Sequence, residues 1–367
     1  MTGTPDGRAI VYCEGAFGTP NGKTAHGLVR RTRRYDVLSV VDSRQAGADA
    51  GALLDGRACG IPVLADLDVA LAAARAANRP ASHLVIGLAP DGGRLAATDR
   101  GAVRRAIEAG LNVDAGLHDF LSEDAEFAAL AREYRVQLRD VRKPPARDRL
   151  HFFSGKIEEV QSLKVAVLGT DSAVGKRTTA WALVDALEAR GTSAELVGTG
   201  QTAWLQGARH VIILDSLVND FVAGELEHAV WSAWTARRPR VIVIEGQGSL
   251  MNPAYPGGYE ILAAARPDVV VMQHAPARLE YDGFPGYPLH PLPRQIQAVE
   301  LVSGKPVVAI TLNHEGLGPR EIAEARRTIT AETGLPACDV LLDGTDAVVD
   351  ALAPHLDRRH GVPQPGS

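Results

Sequence analysis

Val165-Ala166-Val167-Leu168-Gly169-Thr170-Asp171-Ser172-Ala173-Val174-Gly175-Lys176-Arg177-Thr178-Thr179 is the stretch whose reading decides the fold. A short apolar run breaks into glycine, and a Gly-Lys pair then opens a segment with apolar residues at Ala180, Leu183, Val184 and Leu187, the spacing of one helix face. Strand, glycine loop and helix in that order predict a phosphate-binding loop. An anion at such a helix N-terminus meets free backbone N–H groups and the positive end of the helix dipole, and Lys176 adds a point charge. The spacing departs from the usual G-x-x-x-x-G-K-[ST] pattern. Five residues separate Gly169 from Gly175, Arg177 stands where Ser or Thr would hold Mg²⁺, and Thr178 comes one place late. Phosphate contacts are expected from Gly169, Thr170, Asp171, Ser172, Ala173, Val174, Gly175, Lys176, Arg177, Thr178 and Thr179; whether the ligand is hydrolysed is a separate question.

Downstream, predicted strands keep delivering small or polar residues to the same sheet edge. Ala194 to Val197 runs into Gly198-Thr199-Gly200-Gln201-Thr202, and Val211 to Leu214 closes on Asp215. A helix from about Asn219 puts Asp220, Gly224 and Glu227 on one face, a pattern suited to an amine or a metal or to a solvated acidic first turn. Val241 to Ile244 leads into Glu245-Gly246-Gln247-Gly248-Ser249, where a phosphate-loop fold places the acid that holds Mg²⁺ or orients water. A charge at the end of a buried strand must find a partner. Val269 to Met272 precedes a Tyr, Phe and Pro-rich loop from Tyr281 to Pro291, a candidate substrate lid. Val307 to Leu312 ends at Asn313, a candidate contact to a nucleotide base.

Upstream, the alternation of strand and helix is similar. Ala9 to Cys13 enters a second glycine-rich turn ending in Gly22-Lys23-Thr24, where Pro20 removes an N–H donor; anion contact and a plain strand-to-helix turn both remain open. Val37 to Val41 ends at Asp42, a ribose position in dinucleotide folds, yet the G-x-G-x-x-G fingerprint is missing and Asp42 reads equally as a cap of the Ser43-Arg44 turn. Further segments follow at Ile61 to Leu64, Leu67 to Ala77, Leu84 to Leu88, Arg100 to Ala109 and Val136 to Val141. In Asn112 to Leu121, His118 and Asp119 read either as a base and a separate acid, or as an exposed histidine beside a helix N-cap formed by Asp114 or Asp119. The proline-broken Arg142 to Arg147 marks a domain boundary, giving expected domains over 1–147 and 148–358 and a polar, disordered tail over 359–367.

The bulk composition narrows the classes. With 367 residues, 46% hydrophobic and 23% charged, the chain suits two globular domains. A net charge of -5 and the lack of a clustered basic tract argue against nucleic acid. Cys13, Cys59 and Cys338 are widely spaced and odd in number, as expected of reduced thiols in a cytoplasmic protein. Neither a signal peptide nor a membrane-spanning run is recognised, and a homo-oligomer is the default expectation for such an enzyme.

Taken together, the Gly169–Thr179 string, Gly198-Thr199-Gly200-Gln201-Thr202, Asp220-Phe221-Val222-Ala223-Gly224-Glu225, Glu245-Gly246-Gln247-Gly248-Ser249 and Gly116-Leu117-His118-Asp119-Phe120-Leu121 resemble the D-glutamate N-acetyltransferase-like family, long catalogued as a domain of unknown function. The resemblance covers nearly the whole chain. It implies an α/β protein with a Rossmann-like N-terminal domain and a P-loop NTPase-like C-terminal domain with a mainly parallel sheet. It also implies acetyl transfer from acetyl-CoA to the amine of a D-amino acid. The phosphate loop and the Glu-Gly-x-Gly string are similar to those of dethiobiotin synthetase, an ATP-dependent ligase in which the corresponding glutamate holds Mg²⁺. Arg177 departs from that enzyme, which has Thr directly after the lysine.

Two enzyme classes therefore stand side by side. An acyltransferase would hold a CoA phosphate on the loop, with His118, Asp119 or Glu245 removing a proton, Lys176 or loop N–H groups facing the oxyanion, and Arg278, Arg294 or Lys143 gripping a substrate carboxylate. Gly200, Gln201 and Asn313 join the expected cofactor contacts, and Asp220 and Glu227 the substrate contacts. An ATP-dependent ligase or kinase would instead place Mg²⁺ among Glu245, Asp215 or Thr178 and the phosphates. A nucleotide-gated binding protein has no feature beyond the same loop.

Overall fold

The computed structural model describes residues 5–359. These residues form two compact units, one running up to Pro144 and joined by Gln201–Ala208, the other of Pro145–Gly200 and the chain from Arg209 onward. The tail expected over 359–367 lies, from His360 onward, outside the described residues.

The first unit is a parallel sheet of β1 (Gly7–Tyr12), β2 (Tyr35–Val41), β3 (Val63–Leu64), β4 (His83–Ile86), β5 (Asn112–Ala115) and β6 (Leu138–Asp140), in the order β3-β2-β1-β4-β5-β6. That is the doubly wound arrangement of a Rossmann-like domain, with its change of direction between β1 and β4. Ala9, Ile10, Val11, Leu84, Val85 and Ile86 have no exposed surface, because a strand covered on both faces needs apolar residues at every position. Asp114, read from sequence as a possible helix cap, is instead part of β5 and fully buried. It accepts a hydrogen bond from the Tyr35 hydroxyl and a bidentate pair from Arg139, which satisfies the charge that burial would otherwise leave exposed to low dielectric.

A short helix, Gln201–Leu205, is contributed to this unit from the second half of the chain. Gln206 Nε2 donates to the carbonyls of Gly27 and Arg31 at 2.8 and 2.9 Å, and the Thr24 and Thr202 hydroxyls meet at 3.0 Å. The Arg34 guanidinium lies 3.8 Å from the Trp204 ring centroid, a cation–π contact.

The second unit is a seven-stranded, all-parallel sheet: β7 (Leu163–Gly169), β8 (Ala194–Gly198), β9 (His210–Val211), β10 (Val241–Glu245), β11 (Val269–His274), β12 (Val307–Leu312) and β13 (Ala337–Asp339). Its order is β13-β12-β11-β7-β10-β8-β9, so β7 and the loop that follows it are central. Every residue of β7 is buried, and Lys164 within it is matched by Asp268 at 3.2 Å. The carboxyl ends of β7, β10, β11 and β12 therefore lie side by side, and the candidate site is built there.

Candidate functional site

The helix Lys176–Ala189 begins at Gly175, which sits at φ +111, a conformation that side chains disfavour, and no side chain caps its first N–H groups. Its inward face is Thr179, Ala180, Leu183, Val184 and Leu187. An uncapped helix start after a glycine turn leaves N–H donors for an anion. Gly169 and Gly246 let the chain pack closely on itself: a Cβ on Gly169 would lie 2.9 Å from Val174 Cγ2, and one on Gly246 would lie 2.4 Å from the Val167 carbonyl oxygen.

Asp171, with no exposed surface, is the centre of the loop. Its Oδ1 accepts from Ser172 N at 2.6 Å and Asn252 Nδ2 at 2.8 Å, and its Oδ2 from Arg278 Nη1 and Asp282 N, both at 2.8 Å. Arg278 also donates to the Ser172 carbonyl at 2.7 Å and pairs with Glu315 at 3.1 Å. Arg278, expected to grip a substrate carboxylate, thus braces the phosphate loop from within. A buried carboxylate with four donors, one of them charged, is satisfied rather than costly.

Lys176, 6% exposed, donates through Nζ to the carbonyl oxygens of Asp171 at 2.6 Å and Gly248 at 2.8 Å. Gly248 belongs to the Glu245–Ser249 string, so the sequence's two strongest signals meet at this ammonium. Glu245 is 4% exposed and accepts from Thr199 N at 3.0 Å. Burial raises its carboxyl above the usual range, and the charges of Arg177 and Lys176 pull the other way. Gln247 Nε2 donates to Thr199 Oγ1 at 2.9 Å and lies 3.2 Å from where a Cβ on Gly200 would be.

Several contributors are given no role by the sequence. Gln273 Oε1 accepts from the hydroxyls of Thr179 and Thr311, locking β11 to β12 and to the helix start. The His274 imidazole, 3.0 Å from Thr170 Oγ1, is pushed down to about 4 by burial and secondarily by Arg278, so it is neutral at neutral pH. Ser249, 2% exposed, has a hydroxyl with no hydrogen-bond partner among the described residues. It lines a crevice with Gly169, Gln247 and Met272.

The remaining candidates are dispersed. Glu227 accepts from Ser154 N and Oγ at 2.6 and 2.8 Å and from Ile157 N at 3.2 Å, while the missing Cβ of Gly224 leaves room for the His151 carbonyl. The acidic face expected to meet substrate or metal therefore seats a chain segment instead. Asp220 and Arg294 are exposed in the first turns of their helices, and Asp215 is exposed in a turn, because β9 ends at Val211. Thr178 is half-buried on the helix's first turn, and Asn313 Oδ1 accepts from Glu315 N at 3.0 Å. Among the described residues no cluster of three His, Cys, Asp or Glu side chains is placed to hold a metal. His118, Asp119 and Gln201 belong to the first unit. His118 is exposed, Asp119 accepts from Leu95 N at 3.3 Å, and the Gln201 side chain occupies the space a Cβ on Gly116 would need. Asp42 accepts from Phe17 N at 2.8 Å and Arg44 N at 2.9 Å, so it caps its turn.

Comparison with known proteins identifies this architecture. The family described as Domain of unknown function (DUF1611_C), a P-loop domain, matches residues 151–349, and its Rossmann-like counterpart, DUF1611_N, matches residues 43–144. The chain belongs to the DUF1611 family. The crystal structure of a DUF1611 family protein from Anabaena variabilis is 29% identical and superposes with a TM-score of 0.86, covering 95% of this chain and 99% of that one. Two curated relatives are named D-glutamate N-acetyltransferase. The protein from Tritonibacter scottomollicae is 30% identical over 300 residues, 78% of this chain and 85% of its own length. The protein from a Pseudoalteromonas species is 30% identical over 284 residues, 76% and 83%. No helix among the described residues of this DUF1611 chain is long and apolar enough to cross a membrane.

Proposed function

We propose that this DUF1611 protein is an amino-acid N-acetyltransferase that takes the acetyl group of acetyl-CoA and places it on the amine of an acidic D-amino acid such as D-glutamate. Its phosphate loop would hold a phosphate of CoA. The names of the two relatives supply the reaction class. The observation that carries the reading within this chain is electrostatic. Where a Mg-nucleotide enzyme keeps a metal-binding hydroxyl after the loop lysine, this loop has Arg177, whose charge acts on Glu245. The acid at the end of β10 thus feels the charges of two cations.

The donor set suits a phosphate ester: uncapped N–H groups at the start of helix Lys176–Ala189 and the Lys176 ammonium. Acetyl-CoA supplies a thioester. The amine nitrogen attacks its carbonyl carbon, the C–S bond breaks, and the departing thiolate takes up a proton. Glu245, its carboxyl raised by burial, is our choice to receive the proton that the substrate ammonium gives up. The unpartnered Ser249 hydroxyl is the donor we assign to the developing oxyanion.

Calorimetric titration with acetyl-CoA and with Mg-ATP, together with thiol release in the presence of D- or L-glutamate, tests this. Tight binding of ATP only with Mg²⁺, and none of acetyl-CoA, would replace the acyltransferase with the ligase reading.

A further inference from the structure

We propose that Tyr255, Phe284 and Tyr287 form a stacking platform for the adenine ring of the nucleotide whose phosphate the Gly169–Thr179 loop holds. The proposal rests on the reading of that loop as a phosphate site and adds the part of the ligand that lies beyond the phosphate.

The sequence suggests an aromatic and proline-rich lid over Tyr281–Pro291. The structure is a built hairpin. Leu289 N donates to the Leu279 carbonyl at 2.8 Å and Tyr281 N to the Tyr287 carbonyl at 3.0 Å, with Glu280 bridged to Pro288. Two successive turns close its tip, Phe284 N to the Tyr281 carbonyl at 2.9 Å and Tyr287 N to the Phe284 carbonyl at 3.2 Å, with Gly283 and Gly286 at positive φ. Fixed backbone of this kind holds side chains in place rather than letting them collapse inward.

What the hairpin holds out is aromatic. Tyr287 is 54% exposed, and Tyr255, arriving from a different segment, is 56% exposed. Phe284 lies between them, its ring centroid 6.0 Å from that of Tyr255 and 6.5 Å from that of Tyr287, at interplanar angles of 69° and 86°. Edge-to-face pairs of this geometry leave ring faces uncovered.

Both segments are fastened to the phosphate loop through one carboxylate. Asp282 N in the hairpin donates to Asp171 Oδ2, and Asn252 Nδ2 to Asp171 Oδ1, each at 2.8 Å. Asn252 Oδ1 in turn accepts from Tyr255 N at 2.9 Å, and Tyr255 O accepts from Ser249 N at 3.2 Å. The aromatic surface is therefore positioned by the loop that would bind phosphate. A ligand that presents a phosphate to the loop and a flat apolar face to the rings is a nucleotide; a small acidic amino acid has no such face. Base-on-aromatic stacking is sequence-tolerant and strong enough to matter, about tenfold in affinity per stacked base. Asn313, the residue expected from sequence to meet a base, has its carbonyl oxygen engaged by Glu315 N.

The test is calorimetry on the full chain, with Tyr287→Ala and Tyr255→Ala and with Tyr→Phe variants as controls. Four probes are used: acetyl-CoA, S-acetyl-4′-phosphopantetheine, ADP and inorganic pyrophosphate. The expected result is a loss of about tenfold for acetyl-CoA or ADP, no change for the matching probe that lacks adenosine, and recovery in the Phe variants. In the wild type, acetyl-CoA without ADP binding, or the reverse, identifies the nucleotide's source and judges the acyltransferase reading separately. The platform is overturned by equal losses for probes with and without the base, or by no loss in a variant that keeps the wild-type melting temperature. It is likewise overturned if the alanine variants change only the KM for the amino acid, or only the oligomeric state.

Discussion

Two glycine-rich turns in this protein follow the first strand of a parallel sheet and end in Gly-Lys, and they are built in opposite ways. After β1, Pro20 begins a short 3-10 turn, Thr19 caps it, and Gly22 is glycine for space, since a Cβ there would lie 2.6 Å from the Ala16 carbonyl oxygen. Lys23 is exposed and Thr24 is buried against Thr202. After β7 the helix, like the one that starts at Lys23, has no side-chain cap, but Gly175 is glycine for its dihedral and Lys176 is folded over the loop onto two carbonyls. A buried carboxylate accepts from the backbone of each turn: Asp42, reaching Phe17 N from the end of β2, for the first, and Asp171, within the loop itself, for the second. Only Asp171 also gathers a guanidinium and two distant segments. Neither a Gly-Lys pair nor a helix start without a side-chain cap, which both turns have, therefore sets the second apart; its braced backbone does.

Asp171→Ala should separate the two turns most. It leaves the Arg278 charge without its buried partner, a loss of about 3–5 kcal/mol. Asp42→Ala strands only backbone donors, about 1–3 kcal/mol. Urea denaturation measures both, and equal losses would remove the distinction. Acid should act on the second turn through His274. The folded protein keeps this imidazole neutral to about 4, whereas the unfolded chain takes up its proton near 6.5. Its contribution is thus intact above pH 6.5 and falls away as the pH drops toward 4, by roughly 3 kcal/mol. His274→Gln should flatten the acid limb of a stability-against-pH curve, and an unchanged limb would show that the group does not titrate as described.

Lys176→Ala should weaken the loop's ligand by at least about tenfold, the scale of a charge-assisted hydrogen bond, while Lys23→Ala leaves titrated affinity within about twofold. A comparable loss at Lys23 would give the first turn an anion role after all. The smallest effect is conformational. Gly175→Ala should cost about 1–2 kcal/mol, and Gly175→Asn should recover part of that because Asn tolerates positive φ. Gly22→Asn should recover nothing from Gly22→Ala, since the obstacle there is the Ala16 carbonyl.

The fold was legible because buried parallel strands announce themselves as apolar runs, as in β7, β10 and β12. Less regular pieces were not. Asn112–Ala115 hides β5 behind a buried Asp114 that only Arg139 and Tyr35, both distant in sequence, make tolerable. Gln201–Leu205 follows a strand of one unit yet belongs to the other, which no local pattern reveals. In the site, Lys176, Arg177 and Glu245 could be named because strand ends and glycines flag them. Asn252, Gln273 and Asp282 could not, since their roles come from meeting Asp171 or a threonine across the sheet edge. Glu227 misled for the converse reason: an acid on a helix face looks alike whether it awaits a substrate or caps Ser154 and Ile157.

Asp171 has one more consequence, for how the molecule opens. Ser172 N–H and Asp282 N–H both donate to this one side chain, so each becomes free for exchange with solvent when the carboxylate lets go. The two amides should then share a single opening free energy and a single dependence on denaturant, although they lie far apart in the chain. The phosphate loop and the aromatic hairpin are, in that sense, one cooperative unit with one latch.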